Sequence, residues 1–250
     1  GDITLGVAAY TPTLFPKTML AILPGRANTA AESTDRIWRV FDEYMADEWS
    51  EVKVLAVGSV AGSIFVGNRD ISTMEGLKGA KLVPFAPSTS PVIEALGAVP
   101  VMMEITDMYT ALDTGTVDVL TTSFNSLMPP WNLEDVATHV AENVPASFQV
   151  LFVAMNKERY EGLSDEHRAI IDEVAGLPMS QMMAKSFDSA DEIFLNMKDG
   201  ADLKYEWKVV SDAERAKMDA AVRLGMEEVY ADYAARGVSN AKEIYEAMND

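Results

Sequence analysis

The chain has 250 residues, of which 48% are apolar, and it contains no cysteine. Its 39 Asp and Glu residues outnumber its 20 Lys and Arg residues, which gives a net charge of −19. This composition excludes a disordered chain and a disulfide-stapled small domain, and so acidic a chain argues against a nucleic-acid partner.

The N-terminal part of the chain alternates between strand and helix patterns. Residues 3–9 and 52–60 are apolar enough for strands. Between them, residues 30–48 predict a helix, because Ile37 and Phe41 recur at helical spacing. This alternation indicates an α/β fold.

The clearest pattern lies between residues 79 and 123. It predicts a strand at 81–85, a helix at 90–97, a strand at 99–103, a helix at 106–115 and a strand at 117–122. Ser90 before Pro91 is typical of a helix start, and Gly97 is typical of a helix end. Because the connections are short, this order predicts a parallel sheet flanked by helices.

The C-terminal half is mostly helical in pattern. Residues 150–155 predict a strand buried on both faces, because they are continuously apolar. A helical pattern then runs from Ser164 to Met197, with a break expected at residues 176–178. Its length suggests a helix that crosses between two lobes. A capping box at 211–214 predicts another helix, which ends at Gly237 and is followed by a short helix at 241–248.

Groups that carry chemistry are sparse. His139, near the end of a presumed helix, and His167, in a first helical turn, have no partner at metal-ligand spacing. No nucleotide-binding loop or nucleophile elbow is present. We therefore predict no catalytic residue, no metal and no cofactor. A two-lobed α/β protein of this kind is expected to hold a small solute between lobes that close by a hinge.

A set of short segments carries the pattern of a known family. The segments are residues 10–16 (YTPTLFP) with 23–24, 76–82 (GLKGAKL), 94–100 (EALGAVP), 107–112 (DMYTAL), 115–118 (GTVD), and Asn156 with 163–166 (LSDE). In this order they resemble the solute-binding proteins of tripartite ATP-independent periplasmic (TRAP) transporters, of the dicarboxylate-binding-subunit type. The resemblance implies a periplasmic receptor that delivers a solute to TRAP membrane subunits.

The same resemblance implies the architecture. The expected fold is a two-lobed, periplasmic-binding-protein-like α/β fold with a long lobe-spanning helix. Residues 1–60 and 148–188 would form lobe one, and residues 61–147 and 189–250 would form lobe two. Members of this family carry further N-terminal β-α units of lobe one, and by that resemblance these units are absent from this chain.

The resemblance and the strand ends together suggest a pocket. Its predicted residues are Tyr10, Ser63, Phe65, Val83, Phe85, Thr121, Thr122, Phe124 and Asn125. Val83 stands where the family has an arginine that pairs with a carboxylate. Because valine cannot pair with a carboxylate, and burying an unpaired one is costly, we expect a neutral polar solute or an amine rather than a simple carboxylate.

Two other functions remain open at this point. The chain could be a solute-sensing module for a signalling receptor. It could also be a hydrolase or lyase on the same scaffold, in which case a pair of carboxylates should face the cleft. If the solute is nevertheless a carboxylate, its cation must come from Arg69 or from a preceding segment.

Overall fold

The computed structural model describes residues 1–25, 27–145, 147–198 and 202–249. The strands of this part of the chain are β1 (Ile3–Val7), β2 (Val52–Gly62), β3 (Ile64–Gly67), β4 (Lys81–Val83), β5 (Val99–Pro100), β6 (Val119–Thr122), β7 (His139–Glu142), β8 (Phe148–Asn156) and β9 (Glu206–Val209). The α-helices are α1 (Ala30–Val40), α2 (Met74–Leu77), α3 (Ser90–Ala95), α4 (Met108–Asp113), α5 (Lys157–Glu161), α6 (Asp165–Val174), α7 (Leu177–Lys198), α8 (Asp212–Ala235) and α9 (Ala241–Asn249). Within the described ranges, no helix is both long and apolar enough to cross a membrane.

The chain forms two compact units. Unit 1 comprises Gly1–Ala61, Phe148–Ser189 and Tyr233–Asp250, and unit 2 comprises Gly62–Ser147 and Ala190–Asp232. The sequence analysis grouped all of residues 189–250 with lobe two, whereas unit 1 includes the C-terminal helix α9. That helix packs on α1, which also belongs to unit 1.

Unit 1 is built on a three-stranded sheet in the order β1-β8-β2. β1 runs antiparallel to the central strand β8, with Ile3 opposite Met155. Side chains of α1 and α7 form hydrogen bonds with the outer edge of β2. Trp38 Nε1 donates to the backbone oxygen of Val57 at 2.8 Å, and the Val57 N–H donates to Ser180 Oγ at 3.0 Å. These bonds satisfy backbone groups that an edge strand otherwise leaves unpaired.

Helix α1 is capped by Thr29, whose side chain accepts a hydrogen bond from the Glu32 N–H at 3.1 Å. The predicted helix over residues 30–48 is α-helical only to Val40 and continues as a wider π turn and then a 3-10 turn. Phe41, Met45 and Trp49 are all buried. The spacing of four residues between Phe41 and Met45 exceeds the 3.6 of an α-helix, so the wider π turn keeps these two side chains on one face.

The predicted break in the long helix is confirmed. α6 ends at Val174 and α7 begins at Leu177, and between them Gly176 has a φ of +78°. This left-handed conformation suits glycine, which has no Cβ. α7 contributes residues to both units, because the division falls between Ser189 and Ala190.

Unit 2 contains a six-stranded sheet in the order β5-β4-β6-β3-β7-β9. β4 is parallel to both β5 and β6, which confirms the β-α-β-α-β prediction. β3 is antiparallel to both β6 and β7, so the sheet is mixed. The strand predicted at 99–103 is shorter than expected and ends at Pro100, and its last bond to β4 runs from the Val101 N–H to the Leu82 oxygen at 2.9 Å.

His139 corrects a second local prediction. The sequence analysis placed it near a helix end, but it is the first residue of strand β7 and pairs with Glu206 of β9. Its Nε2 lies 3.3 Å from Glu206 Oε2, and its Nδ1 lies 2.9 Å from Thr138 Oγ1. In the described part of the chain, no group of three or more His, Asp or Glu residues is arranged to hold a metal ion.

The sheet of unit 2 packs a hydrophobic core on one face. Strand residues of this core include Val66, Val83, Leu120 and Val140, and helices contribute residues such as Leu112. Strand pairing accounts for the shared face, because Leu120 lies opposite both Val66 and Val83. Side chains at alternate positions, such as Thr121, therefore point to the other face.

Candidate functional site

A cavity of about 390 Å³ lies within unit 2, at the edge of the sheet where the parallel strands β5 and β6 end. Its lining residues are Ile105, Thr106, Met108, Tyr109, Thr122, Ser126, Pro130, Trp131, Asn132 and Leu133. Open α/β sheets bind ligands beyond the carboxyl ends of their strands. The cavity is therefore the candidate binding site in this unit.

The lining combines flat rings with uncharged polar groups. Trp131 and Tyr109 supply aromatic surface, and none of the lining residues is charged. Aromatic side chains favour contact with another ring, and the volume is in the range of small-molecule pockets. The lining suits a small ring that carries polar substituents.

A short chain of hydroxyl groups orders the polar wall. Thr122 Oγ1 donates to Ser126 Oγ at 2.8 Å, and Ser126 Oγ donates to the backbone oxygen of Ser123 at 2.6 Å. Both hydroxyl-bearing residues are 5% exposed. Because the proton of Thr122 is committed to Ser126, its oxygen can act towards a solute as an acceptor.

The segment after β6 is attached at both ends to the hydrophobic core of unit 2. Leu127 and Leu133 are buried in the core of unit 2, at 0% and 2% exposure. Between these anchors the peptide bond Pro129–Pro130 is cis, and Asn132 has a φ of +52°. The two leucines therefore hold Trp131 on a short loop whose ends are attached to the core.

The predicted residues around β6 are divided between the two faces of its sheet. Thr122 lines the cavity, whereas Thr121 points to the opposite face, where Phe65 lies directly across from it on β3. Phe124 stacks on Trp207, with ring centroids 5.7 Å apart, and so belongs to an aromatic group beside the core. Asn125 is exposed and accepts a hydrogen bond from Ser123 Oγ.

The other predicted residues lie elsewhere. Val83 is 1% exposed and sits in the hydrophobic core of unit 2. Ser63 uses its Oγ to accept from the Ser147 N–H at 2.8 Å. Phe85 is half-buried in the loop after β4. Tyr10 belongs to unit 1, where it is 67% exposed.

Tyr109 and Trp131 are lining residues that the sequence analysis did not predict. A signal for Tyr109 was available, because it follows the parallel strand β5 closely, at the edge where ligands bind. Trp131 carried a weaker signal, as an aromatic residue after two prolines. Neither residue could be assigned to a wall of the cavity without the path of residues 123–133.

Arg69, the cation considered for a carboxylate, lies away from the cavity. β3 runs antiparallel to β6, so that Ile64 is opposite Thr122 and Gly67 is opposite Val119. Arg69 follows Gly67 by two residues and is thus beyond the first residue of β6. The cavity lies at the last residue of the same strand, a full strand length away.

Solved structures with the same fold match almost all of this chain. A TRAP solute-binding protein from a marine metagenome, in complex with metahydroxyphenylacetate, is 25% identical with a TM-score of 0.87, covering 100% of this chain and 78% of that chain. A TRAP solute-binding protein from Rhodoferax ferrireducens, with copurified benzoate, is 22% identical with a TM-score of 0.87, covering 99% of this chain and 77% of that chain. These matches confirm the predicted two-lobed α/β fold.

The expected solute class must be corrected. The sequence analysis preferred a neutral polar solute or an amine, yet these similar proteins bind aromatic acids, which are carboxylates. The error lay in treating the arginine position at Val83 as decisive. A carboxylate can also be stabilised by several N–H or O–H donors, so one missing cation does not determine the charge of a solute.

The sequence comparisons identify the family. The outer membrane transporter protein TsaT of Comamonas testosteroni is 30% identical over 179 residues, which are 69% of this chain and 52% of that protein. The chain thus spans about half the length of this curated relative. Residues 8–235 match the DctP family, described as bacterial extracellular solute-binding protein, family 7. The chain therefore belongs to this family of solute-binding proteins, as its resemblance to TRAP receptors predicted.

Proposed function

We propose that this protein is the periplasmic solute receptor of a TRAP transporter and that its solute is a small aromatic carboxylic acid. The observation that carries the proposal is the cavity of unit 2, where Trp131 and Tyr109 contribute rings beside hydroxyl groups. Family membership and the aromatic acids bound by similar proteins support it.

The cavity offers a distinct role to each part of such a solute. The rings of Trp131 and Tyr109 would contact the aromatic ring, which contributes about 0.5–1.5 kcal/mol beyond the burial of area. Thr122 Oγ1 would accept from a hydroxyl substituent, because its own proton is bonded to Ser126. Thr106 and Asn132 carry uncharged donors for the carboxylate.

Apart from Tyr10, the remaining residues predicted from the sequence receive one of two proposed roles, according to how exposed their side chains are. Phe85 and Asn125 of unit 2 are half-buried and exposed, respectively, and we propose them as further contacts. Tyr10 is an exposed residue of unit 1 and stays a prediction from the sequence. Ser63, Phe65, Val83, Thr121 and Phe124 are proposed to support the walls, since each is packed or hydrogen-bonded within unit 2 or points away from the cavity. In this proposal none of these residues is catalytic.

The solute would act as the signal for delivery. A bound aromatic acid stabilises whichever arrangement of the protein binds it more tightly, and the TRAP membrane subunits would accept that loaded arrangement. Copurification of the receptor with its membrane subunits should therefore increase when an aromatic acid is present. An unchanged yield with and without a bound solute would contradict the transport role and favour sensing.

The solute class can be tested by calorimetry and by tryptophan fluorescence. The panel contains 3-hydroxyphenylacetate and benzoate, with benzamide, benzylamine and cyclohexanecarboxylate as controls for charge and for the ring. We expect saturable binding of the aromatic acids and a change in tryptophan emission that is lost in Trp131→Leu, since the chain has four tryptophans. If neither aromatic acid binds, or if benzylamine binds more tightly than both, the proposed solute class is wrong.

Two variants locate the binding site. Trp131→Leu should weaken binding of the aromatic acids by about tenfold or more, equivalent to about 1.4 kcal/mol, because it removes a ring from the cavity. Leu224→Ala is the matched control, since Leu224 is 76% exposed on α8 and is not among the lining residues. Equal affinities of the Trp131→Leu variant and the unmodified protein would place the solute outside this cavity.

A further inference from the structure

A buried arginine in unit 1 has an unpaired hydrogen-bonding edge. Arg36 lies on α1 and is only 7% exposed. Its Nε and Nη2 atoms are buried, and neither has a hydrogen-bond partner in the described part of the chain. Arginine is almost never buried in this way without a partner.

The two unpaired atoms define the shape of the missing partner. The N–H bonds of Nε and Nη2 lie side by side on one edge of the planar guanidinium, and this edge forms two parallel hydrogen bonds to a carboxylate. A single backbone oxygen would have to be shared between the two donors, whereas a carboxylate offers one oxygen to each. The unpaired edge of Arg36 is therefore matched to a planar oxyanion.

In the described part of the chain, no carboxylate is among the groups that act on the pKa of Arg36, and only the Tyr245 hydroxyl raises it. A Cβ added at Gly25 would lie 2.2 Å from Nη2, so the guanidinium packs directly on the main chain of that glycine. The Tyr245 hydroxyl donates to the backbone oxygen of Pro24, so its proton is already used. One turn further along α1, Arg39 adds a second positive charge.

The electrostatic consequence is unfavourable for the protein without an anion. Burial is the main cause that lowers the pKa of Arg36 from its ordinary value; Tyr245 acts against it, and Arg39 acts in the same direction as burial. A buried cation without a partner destabilises the fold, whereas a paired and hydrogen-bonded one does not carry that full penalty. An oxyanion at this position would remove the penalty.

We propose that unit 1 binds a small carboxylate on the Nε–Nη2 edge of Arg36. The inference is independent of the proposed function, because it concerns a different unit and a different group. The carboxylate could be a simple one such as acetate or the head group of an aromatic acid, and both share the planar oxyanion that the guanidinium recognises.

The direct test is the ¹⁵N NMR signal of the Arg36 side-chain Nε–H in the full chain. This signal is assigned by its loss in Arg36→Lys. We expect it to shift and saturate when acetate or benzoate is added, but not when chloride is added at equal ionic strength. Saturation with both acids assigns the site to the oxyanion alone, and saturation with benzoate only assigns it to the aromatic acid. A signal that neither acid moves overturns the proposal.

Thermal stability supplies the second readout. The carboxylates should raise Tm of the unmodified protein, because a ligand that binds only the folded state stabilises it. This rise should vanish in Arg36→Met, because the apolar side chain of methionine is tolerated in a buried position but donates no hydrogen bond. It should be smaller in Arg36→Lys, because lysine keeps the charge without the paired donors. Arg159→Met is the matched control, because Arg159 is an exposed arginine of unit 1 that pairs with Asp2.

The two proposals fail separately. A carboxylate-dependent rise in Tm that persists in Trp131→Leu and is lost in Arg36→Met assigns the effect to Arg36. An equal rise in Arg36→Met and Arg159→Met would refute the Arg36 site, even if aromatic acids still change Trp131 emission. In that case the proposed function would stand without the Arg36 site.

Discussion

Ser180→Ala should destabilise unit 1 far more than the loss of one surface hydroxyl. Ser180 is fully buried on α7, and its Oγ accepts from the Val57 N–H at 3.0 Å while it donates to the Gly176 oxygen at 2.7 Å. Val57 lies on β2 and is itself 0% exposed. Alanine would leave this buried N–H without an acceptor and without access to water.

The magnitude follows from the group that is left unpaired. A buried donor that loses its only partner costs about 1–3 kcal/mol, more than the net value of an average hydrogen bond. For a chain of this length, each kcal/mol lowers Tm by about 2–4 °C. We therefore expect a decrease in Tm of about 2–12 °C, with faster hydrogen exchange at the Val57 amide.

A serine on the same helix provides the matched control. Ser189 also bonds back to the preceding turn, with its Oγ 2.8 Å from the Lys185 oxygen, but it is exposed, and its Oγ accepts from no strand among the described residues. Ser189→Ala should change the free energy of unfolding by less than about 0.5 kcal/mol. Denaturant unfolding of both variants measures the difference. If Ser180→Ala is no less stable than Ser189→Ala, the inference that Ser180 satisfies the edge of β2 is refuted.

Two further substitutions test packing and charge. Gly225→Ala on α8 should destabilise unit 2 by about 1–3 kcal/mol. The reason is that the added Cβ would lie 2.7 Å from the backbone oxygen of Pro91. Thermal unfolding measures the effect, and an unchanged Tm would contradict this close approach. Asp172→Asn should destabilise the protein at neutral pH only, because the hydrogen bond from Lys53 is the main cause that lowers the pKa of the Asp172 carboxyl. A lowered pKa of a carboxyl stabilises the folded protein at pH values above the unfolded-state pKa of about 3.9. This stabilisation is lost as the pH falls through the folded-state pKa. The two unfolding curves should therefore converge in acid, and a constant difference from pH 7 to pH 2 would show that the ion pair is not the cause.

Local patterns identified the elements wherever a residue type restricts the backbone by itself. The Ser211 cap, the break before Leu177 and the parallel arrangement of β4, β5 and β6 were all predictable. Each depends on neighbours a few residues apart along the chain. The family could also be identified in this way, because its short segments keep their order.

The site was harder to predict, because it depends on which face of a strand a residue occupies. Thr121 and Thr122 are adjacent and chemically alike, yet only Thr122 lines the cavity. The pairing with β3 decides between them, and a shift of one residue would exchange their faces. Phe65 shares the face of Thr121 and is likewise not among the lining residues of the cavity.

The amino-acid sequence by itself determined the fold class, the family and most helix boundaries of this protein, because these follow from local spacing and composition. Only the tertiary structure decided that Val83 is a core residue, that Trp131 faces a cavity and that Arg36 is buried with an unpaired edge. Burial and partnership arise between segments distant in the chain. No local pattern records them, since the same valine, tryptophan or arginine fits a surface or a core until the strands pair.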